Sequence, residues 1–379
     1  MSSPRTTSAS MMESAPGPET VIDGVRYRYF AGTSYLGLAN HPEVIEAGCE
    51  AMRHYGVHSA TTRARCGTNP PVAKVETLSA EFFDTEDAFY FGSGYVAIHI
   101  MVAALAEDLD AVLVDEAAHY CLGEAARFAG VPVQTFRHDD NDDLARVASK
   151  SRRVLVMADA VNPSTGELAP VREYLAVLES CERAVLLLDD AHGFGVLGEN
   201  GRGLCEQLGL WERVNRRVEQ TGVSLFVCGT LAKALGGFGG VIPGSIELVE
   251  RARAKVHFFD GASAPASAVA GATAKALEII MRDPSLRVRL RENTRHLREG
   301  LRSLGLTVPE GETAHFGVVA GNAANMERIH RDLKPRQIMV PYVGAYSGLP
   351  PTGVLRFAVF ATHTASDLDH LLDALRTIL

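Results

Sequence analysis

Apolar residues in this chain gather into short continuous runs. "AFYF" (88–91), "AVLV" (111–114), "VLVMAD" (154–159), "AVLLLDD" (184–190), "SLFVCG" (224–229) and "GGVIPG" (239–244) are the clearest. Most are separated by stretches with helical spacing, such as "HIMVAALAEDL" and "VREYLAVLESCE". Unbroken Val/Leu runs belong to strands buried on both faces, and their alternation with helices predicts an α/β fold with a mostly parallel central sheet flanked by helices. Ligands of such sheets bind beyond the carboxyl ends of the strands. Several runs end there in small or acidic residues: Gly92-Ser93-Gly94, Asp115, Asp159, Asp189 and Gly229-Thr230.

From about residue 266 the pattern changes. "SAVAGATAKALEIIM" and "RVRLRENTRHLREGLRSL" predict two long helices, followed by "HFGVVAG", "QIMVPYV", "VLRFAVFA" and a final amphipathic helix, "SDLDHLLDALRTIL". The expected division is a flexible Ser/Thr/Pro-rich leader (1–20), an N-terminal segment carrying the strand-like "VRYRYF" (21–45), a large domain (46–265) and a smaller α+β C-terminal domain (266–379).

Composition narrows the class without choosing a chemistry. The 379 residues are 46% hydrophobic and 22% charged, ordinary for a globular protein, and the formal net charge of -9 offers no general attraction for nucleic acid. No run approaches the ~18 apolar residues of a membrane span. Six cysteines are scattered without a C-x-x-C pair, which points to reduced thiols and a cytoplasmic setting rather than a disulfide frame or a zinc site.

The candidate chemistry lies at the strand ends. Of six lysines, only Lys233 follows an apolar run and precedes a glycine-rich turn, "GTLAKALGGFGG". Burial lowers a lysine pKa, and a neutral amine can form a Schiff base with an aldehyde; a lysine snorkelling from a helix start would look the same. Thr230 is placed to offer a hydroxyl to a phosphate. In "VLLLDDAHGFG", Asp189 ends a strand and His192 lies three residues on; a fixed carboxylate can keep a ring nitrogen protonated, and an N-cap aspartate is the structural alternative. In "FYFGSGY", Ser93, Gly94 and Tyr95 stand between strand and helix, where backbone N–H groups hold phosphate. The same stretch imitates a dinucleotide fingerprint with Asp115 as its acidic partner. His119 in "DEAAHYCLGEA" is placed to lie over a cofactor ring, or is a structural loop histidine. Arg356, inside an apolar strand, needs an anion, which is either a substrate carboxylate or an internal ion-pair partner.

A lysine for an aldehyde, an aspartate for a pyridine nitrogen, a stacking histidine and a phosphate cup describe pyridoxal 5'-phosphate. From "YLGLANHPEVIEA" (35–47) to "RFAVFATHTASDLDHL" (356–371), through "FGSGY", "FRHDDNDDL", "STGELAP", "DDAHGFGVLGENGRG" and "GTLAKALGGFGG", the chain resembles the α-oxoamine synthases of the fold-type-I pyridoxal phosphate superfamily. That resemblance implies Lys233 as Schiff-base and proton-moving lysine, Asp189 as pyridinium partner, His192 near the phenolic oxygen and His119 as the stacking residue. It implies phosphate contacts from Ser93, Gly94, Tyr95 and Thr230, and Arg356 on the amino-acid carboxylate. It also implies a homodimer with shared active sites, an amino acid and an acyl thioester as substrates, and condensation usually with decarboxylation. The chain departs from the family pattern at Thr33, where an Asn normally helps hold the carboxylate, at Ile98, at Pro163 and in "DGASAPA" (260–266). Asn162, preceding Pro163, resembles the Asn of the aminotransferase "NPTG" segment, which touches the phenolic oxygen. An aminotransferase or a carbon–carbon lyase on the same fold is therefore the alternative.

Overall fold

The computed structural model describes residues 10–216 and 221–379. Glu19–Ile22 (β1) and Val25–Tyr29 (β2) form a hairpin near the N-terminus. Residues 10–20, expected as a flexible leader, are tied to it: Glu13 N–H donates to Val21 O at 2.8 Å and Asp23 N–H to Met11 O at 3.0 Å. Residues 1–9 of that leader lie outside the described residues.

The large sheet has seven strands: Asp87–Phe91 (β3), Ala111–Asp115 (β4), Val133–Phe136 (β5), Arg153–Asp159 (β6), Arg183–Asp189 (β7), Gly222–Thr230 (β8) and Gly240–Gly244 (β9). Their order is β3-β9-β8-β7-β6-β4-β5, with β9 antiparallel to both neighbours and every other pairing parallel. β3, β4, β6, β7 and β8 therefore all end on one edge. The strands alternate between two cores, as a sheet covered on both sides requires. Val185, Leu187 and Phe226 face helix Ala97–Leu105, whereas Leu186, Leu188 and Val227 face the opposite layer.

Four short strands complete the fold: His315–Val318 (β10), Ile338–Met339 (β11), Tyr342–Val343 (β12) and Val354–Ala358 (β13). β10, β13 and β12 make an antiparallel sheet, while β11 adds to β2 in parallel. The segment after β2 runs on beside β13, since Ala358 N–H donates to Phe30 O at 2.9 Å and Ala361 N–H to Tyr35 O at 2.7 Å. That pairing brings residues 30–35 to the edge where the large sheet ends.

The two long helices sit in different layers. Helix Ser285–Ser303 packs on the final helix, Ala365–Ile378, whose start is fixed by a reciprocal Thr364–Asp367 capping box. Helix Ser267–Arg282 packs instead on helices Pro42–Tyr55 and Pro70–Phe83. Gly271 permits this, because a Cβ there would lie 2.5 Å from that of Ala51. Among the described residues, no helix is long and apolar enough to cross a membrane.

Candidate active site

The strand ends enclose a cavity of about 250 Å³ lined by Ser93, Gly94, Tyr95, His119, Asp189, His192, Thr230 and Lys233. Eight residues from four separate stretches of chain thus meet in one place. Each arrives on a strand end or the first turn after it, so a rigid sheet fixes their spacing.

Lys233 and two carboxylates make up the charged heart of the site. Asp159 and Asp189 are register partners at the ends of β6 and β7. Asp189 Oδ1 accepts from Ala191 N–H at 3.0 Å, and Asp159 Oδ2 accepts from His119 N–H at 2.6 Å. Burial raises the pKa of both acids; Asp159 is raised further by Asp189, while Lys233 pulls Asp189 back down. Lys233 is itself lowered by burial, with Asp189 and Asp159 acting in the opposite direction. Among the described residues its Nζ has no hydrogen bond or ion pair. Two buried acids face one amine here, and a cationic ring nitrogen against Asp189 would favour that acid's charged form.

His119 caps the helix Tyr120–Ala126: its Nδ1 accepts from Cys121 N–H at 3.2 Å. Burial lowers its pKa, which favours the neutral ring. The Tyr95 ring stands edge-on to it at 5.8 Å between centroids. Opposite, Ser93 Oγ accepts from Tyr95 N–H at 3.3 Å in the turn that leads into helix Ala97–Leu105. Gly94 is required there because a Cβ would meet Thr230 Cβ at 2.6 Å. The Thr230 hydroxyl, expected on a phosphate, donates to Gly239 O at 2.8 Å and accepts from Ala232 N–H at 3.1 Å.

Arg356 on β13 approaches from the small sheet. Its Nε donates to Pro163 O at 3.0 Å, Nη1 to Gly32 O at 3.4 Å and Nη2 to the Tyr35 hydroxyl at 3.4 Å. All three acceptors are neutral, and among the described residues it has no acidic partner. The internal ion pair considered from the sequence is absent there. Thr33 adjoins Gly32 but does not line the cavity.

Two expectations read differently in three dimensions. The Asn162 side chain does not line the cavity: its Oδ1 accepts from Ser164 and Thr165 N–H at 2.9 and 3.0 Å, building its own turn. Asp115, the acidic partner of a dinucleotide fingerprint, is held by His138 Nδ1 at 2.9 Å and Ala117 N–H at 2.8 Å. Conversely, Asp159, Tyr35, His315 and Tyr346 were given no role at the site from sequence. Tyr346 lies half-buried with its ring 6.2 Å from that of His119, and burial pushes its hydroxyl up to about 12. Only Asp159 carried a sequence signal, as a strand-end acid.

A parallel sheet that gathers a buried amine, two buried carboxylates and a glycine-lined turn at one edge belongs to a fold-type-I pyridoxal 5'-phosphate transferase. More narrowly, the chain belongs to the aminotransferase class I and II family, whose model matches residues 30–375, and within it to the α-oxoamine synthases. It is 34% identical over 368 residues to 8-amino-7-oxononanoate synthase 1 of Polaromonas sp. (strain JS666), covering 95% of this chain and 88% of that one. It is 32% identical to the biotin biosynthesis bifunctional protein BioWF of Corynebacterium kroppenstedtii, covering 97% of this chain but 55% of that protein, so it spans about half of that relative's length. Among solved structures, Sphingomonas wittichii serine palmitoyltransferase superposes with a TM-score of 0.88 at 26% identity, covering 98% of this chain and 92% of that one.

The cofactor predicts a sharp effect at Gly94. Gly94→Ala forces a methyl against Thr230 in the turn expected to hold the phosphate, and overpacking of this kind costs about 1–3 kcal/mol. Titration of the apoprotein with pyridoxal 5'-phosphate, followed by absorbance, should show affinity weakened roughly tenfold. Unchanged affinity would place the phosphate elsewhere.

Proposed function

We propose that this protein condenses a small α-amino acid with an acyl thioester, with loss of the amino acid's carboxyl group, to give an α-aminoketone. The observation that carries the substrate side is Arg356. A guanidinium held by three neutral acceptors beside the cavity presents an uncompensated charge, and a carboxylate matches its fork. The acyl side is supported by the likeness to an oxononanoate synthase and a palmitoyltransferase.

When bound, pyridoxal 5'-phosphate supplies an electron sink for the pair left at the substrate α-carbon. Asp189 would hold the proton on the ring nitrogen. Lys233, whose pKa burial lowers, would anchor the aldehyde and move the proton at the α-carbon. His119 would cover one face of the ring and His192 would stand at the phenolic oxygen. Ser93, Gly94 and Tyr95 would hold the phosphate, with Thr230 joining only if its hydroxyl turned from Gly239. The Asn162 side-chain oxygen that suggested an aminotransferase is engaged by its own turn, which weakens one of that reading's two motives; the altered substrate positions are the other.

The direct test is incubation with amino acids and acyl-CoAs, following free thiol and carbon dioxide. Amino transfer to a 2-oxo acid without thiol release would overturn the proposal. Arg356→Met should raise KM for the amino acid by about 10–100-fold, the worth of a charge-assisted hydrogen bond of about 1.5–3 kcal/mol. An unchanged KM would assign the carboxylate to another residue.

The reading extends to a cytoplasmic homodimer. All six cysteines are free, and Tyr95, Tyr120, Phe128 and Phe238 are exposed, with Tyr95 and Phe238 at the cavity lining, where a second subunit would cover them. Light scattering on the eluting protein gives the mass that tests this.

A further inference from the structure

Behind the cavity lies a buried polar chain, two of whose members, Tyr35 and His315, the functional reading does not use. His315 is fully buried, and its Nε2 lies 2.9 Å from the backbone oxygen of Asn162. Its Nδ1 lies 3.1 Å from the Tyr35 hydroxyl. That hydroxyl lies 2.9 Å from His192 Nδ1 and accepts from Arg356 Nη2. The Tyr35 and His315 rings are within 5° of parallel, and the two histidine rings are 4.5 Å apart.

Donor and acceptor counting leaves one arrangement. A backbone carbonyl only accepts, so His315 Nε2 must carry a hydrogen. Burial and the neighbouring Arg356 charge hold His315 neutral, which leaves its Nδ1 bare. The Tyr35 hydroxyl must then direct its single hydrogen to His315. Toward His192 it offers only lone pairs, so His192 Nδ1 must be the donor. Burial and Lys233 keep His192 neutral as well, so its Nε2 is bare. That nitrogen has no partner among the described residues, and the ring lines the cavity.

We propose that His315 is a positioning residue: through the Tyr35 hydroxyl it fixes the tautomer of His192, so that the nitrogen left for the cavity is a hydrogen-bond acceptor. What that nitrogen meets rests on the cofactor reading, where a proton-bearing phenolic oxygen is its complement. The tautomer itself belongs to the protein alone. Removing the acceptor at residue 315 frees Tyr35 to donate to His192 Nδ1, which moves the His192 hydrogen to Nε2 and makes the same nitrogen a donor.

The experiment is long-range proton–nitrogen NMR on protein labelled with ¹⁵N-histidine, without and then with pyridoxal 5'-phosphate; His192→Gln assigns the resonances. The expected result is His192 protonated at Nδ1 in the unmodified protein, protonated at Nε2 in His315→Leu, and returned to Nδ1 in His315→Asn, whose amide oxygen can again accept. Upon cofactor addition, His315→Leu should shift absorption toward longer wavelength, because a donor at His192 favours the deprotonated phenolic oxygen. Nε2-protonated His192 in the unmodified protein overturns the proposal. So does an unmoved tautomer in a His315→Leu protein that melts cooperatively; should that variant fail to fold, Tyr35→Phe must still release the Nδ1 preference. Failure of the cofactor reading would show separately, as no absorbance change in the unmodified protein with the tautomer intact.

Discussion

Lys233→Ala is expected to lower turnover by about 10³-fold or more, and to abolish the label that borohydride reduction leaves in the unmodified holoenzyme. A positioned proton-transfer group contributes roughly 10²–10⁴-fold on its own, and in the proposed reading the same side chain would also anchor the cofactor. The surroundings of Lys233 support both tasks. Burial destabilises its ammonium form, while Asp189 and Asp159 act in the opposite direction. Three of the other five lysines are occupied elsewhere: Lys74 and Lys275 both pair with Glu278, and Lys255 pairs with Glu107. Peptide mapping after reduction should place the label on the peptide containing Lys233. Near-normal thiol release by the alanine variant, or a label on another lysine, would remove Lys233 from the chemistry.

Much of this site was legible along the chain because a parallel sheet writes its strands as apolar runs and puts its chemistry at their ends. Six of the seven large-sheet strands coincide with the predicted runs. The exception, β5, is an edge strand whose Val133 and Thr135 face solvent, so "VPVQTF" lacks the continuous burial that made its neighbours visible. Helix Ala323–Leu333 escaped notice because "AANMERIHRDL" buries only Met326, Ile329 and Leu333.

Other features had no local signature. The antiparallel setting of β9 depends on which strands it lies between, and the union of β2 with β11 joins positions about 310 residues apart (Arg28 with Ile338). The contact between Tyr35, His192 and His315 likewise depends on three distant segments converging. Asn162 shows the opposite failure. Its motif suggested a ligand contact, but an Asn followed by Pro-Ser-Thr also makes a turn that uses its own side-chain oxygen, and that local geometry prevailed. Arg356 reads from the sequence as an arginine in need of an anion, and only the structure shows that no carboxylate among the described residues meets it.

Asp189→Asn should separate binding from chemistry. The amide keeps the size of the carboxylate and can still accept from Ala191 N–H, so the strand end should hold its shape. What it loses is the charge that, in the proposed reading, would keep a pyridine nitrogen protonated. Asp159 is too poor a substitute: it lies in register on the next strand, its Oδ2 is engaged by His119 N–H, and burial together with Asp189 drives it toward the neutral acid. Removing Asp189's charge relieves one of those pressures, but leaves His119 and the burial in place. Pyridoxal 5'-phosphate should therefore still bind, held by Lys233 and the Ser93–Tyr95 turn, while kcat falls by roughly 10²–10³-fold, the scale of losing one preorganised electrostatic contact to the reacting group. Absorbance titration reads the first quantity and thiol release the second. A variant that loses cofactor affinity and activity in equal measure would make Asp189 a binding residue, and one that keeps both would show that the ring nitrogen works unprotonated here.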